Sequence, residues 1–159
     1  MNRSSHLRSL FGSILVLGVL LVFSGCQSES TQDQQSSEPA LPDGELSIEN
    51  PWVEPAPAGS TAALYMTFAN GRQSADTLLR VRAPIVDSSA AYRGTEARGT
   101  LALPARARTT LNPGSTHVRL NNIDQPLTEG STPILNLEFA QSDLQRVRVP
   151  VRTSPPNQQ

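Results

Sequence analysis

His117 is the clearest candidate for site chemistry. In the stretch GSTHVRLNNI, residues 114–123, apolar and polar residues alternate, which puts the imidazole on the polar side of a β-strand. A neutral imidazole offers one lone pair to a metal or a proton near neutral pH. A soft metal ion needs several such donors converging, thioether and thiolate included. The chain contains two histidines, two methionines and one cysteine. His6, Met1 and Cys26 lie in the first 26 residues, so a folded domain further along draws only on His117 and Met66. Met66 alternates in phase with Leu64 and Phe68 and is expected in the core, where its flexible thioether fills gaps. His117 keeps two readings: a metal ligand short of partners, or a solvated or hydrogen-bonded residue at the rim of the fold.

Other chemistries find less support. Ser88, Ser89, His117 and Asp87 or Asp124 are the residue types of a hydrolase triad, but no nucleophile elbow accompanies them. The chain has no lysine, which removes Schiff-base chemistry, and no phosphate-binding glycine loop or zinc cluster. Eleven arginines face nine acids between Leu46 and Arg152, so this region is close to neutral and no nucleic-acid partner is expected. The protein is not expected to be an enzyme.

The elements that would hold these residues are strands. Leu64, Met66 and Phe68 alternate with Ala63, Tyr65 and Thr67; Leu79 and Val81 with Arg80 and Arg82; Val118 and Leu120 with His117, Arg119 and Asn121. Leu135, Leu137 and Phe139 alternate with Asn136 and Glu138, and Val147, Val149 and Val151 with Arg146, Arg148 and Arg152. Each set has one oily and one wet face, as antiparallel strands have when one side covers a core. Turn residues separate the runs, notably AG before Ser60, NG at Asn70, RG at Arg93, NPG at Asn112 and EG at Glu129. Gly114 after Pro113 suits the positive-φ position of a type II turn. Seven or eight short strands at this spacing indicate an all-β, antiparallel sandwich.

The amino terminus carries Arg3 and Arg8, then an uncharged run over residues 10–23, too short to span a bilayer comfortably and typical of a cleaved export signal over residues 1–25. That run closes on VFSGCQ, which resembles the lipobox of bacterial lipoproteins. The resemblance implies lipidation of Cys26, cleavage just before it, and anchoring to the membrane through acyl chains, several of which hold where one does not. Gln27, not being Asp, implies retention on the periplasmic side of the outer membrane. Residues 26–45 comprise the lipidated cysteine and an acidic, aliphatic-poor stretch expected as a flexible linker. Residues 46–152 form the expected domain and residues 153–159 a disordered tail.

Two segments carry a family likeness. IENPWVEPAPAGSTAALYMTFAN (48–70) and LNPGSTHVRLNNIDQPLTEGSTPILNLEF (111–139) resemble the opening and the later half of the periplasmic copper chaperones called PCu(A)C. The resemblance implies a cupredoxin-like Greek-key sandwich and copper as cargo, held by histidine and methionine near one rim for delivery to an acceptor. Matched residue by residue, His117 stands at the histidine of the closing His-x-Met pair and Arg119 at its methionine. Ser89 and Ala91 fall at the upstream histidine and methionine, and Thr100 at the middle methionine. Arg119 has no lone pair to give and would repel a bound cation, with Glu129 and Asp124 as candidates to neutralise it.

The expected function is therefore that of a membrane-tethered lipoprotein of the copper-handling class whose copper site is degenerate and whose copper binding is weak or absent. If copper is held, a periplasmic acceptor or a second copy would lend ligands. The alternative is a metal-independent binding or assembly module tethered to the outer membrane, using the arginine faces at Arg80/Arg82 and Arg146/Arg148/Arg152.

Overall fold

The computed structural model describes residues 39–156, within one compact unit, Glu38–Gln159. The expected signal peptide 1–25, Cys26 with its lipid, the linker up to residue 38, and residues 157–159 of the tail lie outside the described residues.

Ten strands form: β1 (Leu46–Val53), β2 (Ala62–Asn70), β3 (Asp76–Arg82), β4 (Val86–Arg93), β5 (Glu96–Gly99), β6 (Leu101–Leu103), β7 (Ala107–Thr110), β8 (Thr116–Ile123), β9 (Ile134–Phe139) and β10 (Gln145–Arg148). The excess over the seven or eight indicated by alternation comes from short strands such as β5, β6 and β7, which cannot display a period. They build a larger sheet in the order β1-β2-β8-β4-β5, with β7 also paired to β2, and a smaller one in the order β10-β9-β3-β6. Every strand pair is antiparallel. The chain changes sheet between β2 and β3, β3 and β4, β5 and β6, β6 and β7, and β8 and β9. This is the all-β, Greek-key, cupredoxin-like antiparallel sandwich that the sequence led one to expect.

Leu64, Met66 and Phe68 of β2 meet Leu135, Leu137 and Phe139 of β9 in the core, with Val118 and Leu120 of β8 beside them. Phe68 and Phe139 pack edge to face with ring centroids 6.1 Å apart. Burying each such aromatic contributes about 2–3 kcal/mol. Met66, 2% exposed, is core, as its phase indicated.

The alternation expected through Leu79 and Val81 fails at one residue. Leu78 is 3% exposed and Leu79 40% exposed, because the β3–β9 register shifts between Leu78 and Arg80. This bulge takes up one extra residue, turning Leu79 outward while Val81 still faces the core. The turn at Gly114 forms as expected: its φ is 75° and Ser115 N–H donates to the Asn112 carbonyl at 3.1 Å.

One end of the sandwich is closed by polar groups. Asn70 directs its amide at the carbonyls of Ser74, Leu103 and Pro104, each at 3.1 Å, and accepts from Arg72 N–H. The Asp76 carboxylate accepts from the N–H groups of Thr77, Gln141 and Ser142 and from the Ser142 hydroxyl. At the same end, Arg108 pairs with Glu49 and donates to the carbonyls of Pro39 and Ala40. Gly71 donates to the Glu45 carbonyl at 2.7 Å, and a Cβ at Gly71 would collide with the Pro42 carbonyl. The last part of the segment expected as a flexible linker, residues 39–45, is thus bonded to the domain.

Candidate functional site

His117 lies in the centre of the larger sheet, on the face turned away from the core. Opposite it on β4 is Tyr92, its register partner, and one step beyond the Leu64↔Val118 pair on β2 is Tyr65. Tyr65 is in turn the partner of Trp52 on β1. Period-two projection and strand pairing therefore line up Trp52, Tyr65, His117 and Tyr92 in one row across four strands. The centroid separations along it are 4.4, 6.3 and 5.8 Å, and the imidazole is stacked on Tyr92 at 16°.

This row covers part of the face expected to be wet. Trp52 and Tyr65 are each only 4% exposed. The Tyr65 hydroxyl donates to Glu54 Oε1 at 2.8 Å. Burial, with the hydrogen bond to Glu54 and its negative charge, raises the phenol's pKa well above the ordinary tyrosine value. Tyr65 is thus a neutral phenol at physiological pH, its hydroxyl engaged by Glu54.

The His117 Nδ1 lies 3.3 Å from the Ser115 carbonyl. A carbonyl only accepts, so in this contact Nδ1 is the donor, and in the neutral ring the lone pair would then lie on Nε2. Arg119, two residues along the same face, lays its guanidinium over the Tyr92 ring with Cζ 4.2 Å from the centroid. This cation–π contact replaces the neutralisation by Glu129 or Asp124 that the sequence suggested: among the described residues Arg119 has no ion pair, and Glu129 accepts from Thr153 instead.

The other positions matched to copper ligands do not reach His117. Ser89 and Ala91 pair with Leu120 and Val118, on the core side of β4, one residue out of phase with Tyr92. The Ser89 hydroxyl accepts from Val81 N–H at 2.7 Å and donates to the Val81 carbonyl at 2.8 Å, joining the two sheets. Thr100 follows β5 on the rim of a cleft of about 520 Å³, which Tyr92, Arg93 and Arg98 also line. That cleft offers hydroxyls and guanidinium groups, not soft donors. Among the described residues no three His, Cys, Asp or Glu side chains gather as a metal would need. The donor set around His117, a phenol on each side and a guanidinium, does not fit Cu(I), which calls for thioether, thiolate and further imidazole.

Nor does a triad assemble. Ser89 is committed to Val81, and Ser88 pairs with Asn121, four residues from His117 along β8, roughly 13 Å at strand rise.

The sequence singled out His117 and Arg119 and missed Trp52, Tyr65 and Tyr92. Their signal was aromatic residues in the polar phase of their strands, and it becomes legible only once the register is known.

The antiparallel sandwich is the fold of solved PCuAC domains. The copper-bound PCuAC domain from PmoF2 superposes with a TM-score of 0.63 at 24% identity, covering 74% of this chain and all of that domain. The apo form of that domain matches with a TM-score of 0.63 at 25% identity, over 72% of this chain and 96% of that one. CuI-DR1885 from Deinococcus radiodurans matches with a TM-score of 0.57 at 24% identity, over 77% of this chain and 86% of that one. No curated protein matches the chain. Residues 46–151 match the LpqE-like family, whose description names a lipoprotein, and the chain belongs to that family. The resemblance carried by residues 48–70 and 111–139 is borne out, and the chain is a divergent relative of the PCuAC domains.

Proposed function

We propose that this is an exported lipoprotein, anchored through acylated Cys26 on the periplasmic side of the outer membrane, which keeps the PCuAC scaffold of the copper-handling class and has lost the autonomous copper site. The chain acts by presenting a surface to a partner and performs no catalysis. The limits are those expected from the sequence, signal 1–25, Cys26 and linker to residue 45, domain 46–152 and tail 153–159, with residues 39–45 of the linker held against the domain.

One observation carries this reading: the immediate neighbours of His117 are Tyr92 at 5.8 Å and Tyr65 at 6.3 Å, with Arg119 folded over Tyr92. A single imidazole cannot cage Cu(I), and a permanent cation at the adjacent position opposes it. His117 Nε2 is the remaining soft lone pair on this face, so copper would be held only with donors from an acceptor or a second copy. Relatives of the same fold are copper-bound, which supports the class.

The test is titration of the purified monomer with Cu(I) against a competing chelator. No stoichiometric binding is expected, and a monomer that holds one Cu(I) at sub-nanomolar strength overturns the reading. Mass spectrometry of the native protein checks the lipid separately, with diacylglycerol on Cys26 as the expected result.

A further inference from the structure

The outer face of the smaller sheet combines positive charge with exposed apolar side chains. Arg80 and Arg82 of β3 share one carboxylate, Glu138 of β9, at 2.6 and 2.8 Å. Across β9, Arg146 is the register partner of Asn136 and Arg148 that of Ile134, and among the described residues neither arginine has an ion pair. Four guanidinium groups against Glu138 leave the strands of this face positive in a protein of net charge −1, with Asp143 beside Leu144 as the acid of the β9–β10 connection. The exposed large hydrophobics of the described residues are Leu79 (40%), Ile134 (40%) and Leu144 (53%). Leu79 and Ile134 are on β3 and β9 of this sheet, and Leu144 is in the β9–β10 connection. Ordinary charge placement against sheet aggregation explains the arginines but not the company of the apolar side chains.

The point where the chain enters the domain adds a geometric constraint. The Gln145 side chain at the start of β10 donates to the Leu46 carbonyl at the start of β1 at 3.1 Å. Beside this bond is a cavity whose lining includes Glu45, Leu46, Arg72, Ser142, Asp143 and Gln145. β10 therefore begins beside the end of the amino-terminal segment, whose earlier residues Pro39 and Ala40 are held by Arg108 of β7. Residues 26–39 span at most ~45 Å when fully extended, so an anchor at Cys26 would keep the domain within that reach of the bilayer.

We infer that the outer face of the β10-β9-β3-β6 sheet docks on the anionic headgroups of the anchoring membrane. Arg146 and Arg148 meet phosphates while Leu144 and Ile134 enter the headgroup boundary. Each arginine brought to an anionic surface raises partitioning roughly fivefold. That is weak from solution and sufficient for a tethered domain, whose docking is intramolecular. Docking on this face would leave the His117 face of the opposite sheet turned to the periplasm. The inference rests on the lipoprotein reading, but its test does not use the lipid.

The unit of residues 38–159, which has its own core, is floated with vesicles of phosphatidylcholine alone and of phosphatidylcholine with phosphatidylglycerol. Binding to the anionic vesicles only, weakened by salt, is expected. Replacing Arg146→Ala and Arg148→Ala together should lower it roughly thirtyfold, and Leu144→Ser should lower it further with unchanged thermal stability. Equal binding to both vesicle types, absence of binding, or full binding by the double variant overturns the proposal. None of these results bears on whether Cys26 is acylated.

Discussion

Two polar regions of this sandwich have opposite characters. At the end closed by Asn70 and Asp76, nearly every polar atom is buried and matched. At the outer face His117, Tyr92 and Arg119 are partly exposed, and their contacts with one another are stacking and cation–π. Asn70 and Asp76 are 1% and 4% exposed, and between them they fix three chain segments by eight hydrogen bonds. A buried polar group left unmatched costs the full desolvation penalty, so this cluster is maintained as a unit. The His117 face carries no such penalty. His117, Tyr92 and Arg119 are only partly buried, so exchanging them one at a time should leave the domain folded.

The largest expected effect is on the buried side. Asp76→Ala leaves Thr77, Gln141 and Ser142 N–H groups without their acceptor and should cost about 3 kcal/mol in denaturant unfolding. The Cu(I) titration of the folded fraction should not change. A loss below about 1 kcal/mol would erase the contrast between the regions.

The same carboxylate sets a pH dependence. Burial by itself would raise its pKa, but the hydrogen bonds from Ser142, Thr77 and Gln141 outweigh it and hold the pKa below the ordinary 3.8. A depressed folded-state value means the stabilisation is complete above the unfolded value and is lost as pH falls through the folded one. Stability measured against pH should therefore decline in acid, below about pH 4, and Asp76→Asn should flatten that decline.

Next in size is a gain at the exposed face. The Tyr92 and Arg119 side chains already converge beside His117, so Tyr92→Met with Arg119→Met would place two thioethers around one imidazole. Cu(I) affinity should rise roughly a hundredfold, equivalent to ~2.7 kcal/mol. An unchanged affinity would show that the backbone around His117, and not only the donor set, does not suit copper.

The smallest effects are expected from single losses on that face. His117→Ala and Arg119→Ala should each cost less than about 1 kcal/mol, since they remove stacking and one cation–π contact at a partly exposed position. A cost above ~2 kcal/mol for either would mean that the row from Trp52 to Tyr92 is a structural element comparable to the Asp76 cluster.

What could be recognised in advance follows from what is local. The alternation of Leu64, Met66 and Phe68, or of Leu135, Leu137 and Phe139, reports a strand face through side-chain projection alone, and Pro113-Gly114 reports its turn through backbone sterics. The scarcity of soft donors is an inventory, complete as soon as the residues are counted, and no fold can add to it.

The neighbours of His117 were of another kind. Ser89 and Ala91 differ from Tyr92 by a phase of one residue. Leu78 and Leu79 exchanged places through a bulge, and Arg119 chose a ring over a carboxylate. Sequence determined that this chain forms an antiparallel sandwich with a single imidazole to offer. Tertiary structure decided which residues stand beside that imidazole and which arginines go unpaired, because register, bulges and sheet order are fixed by pairing between strands far apart in the chain.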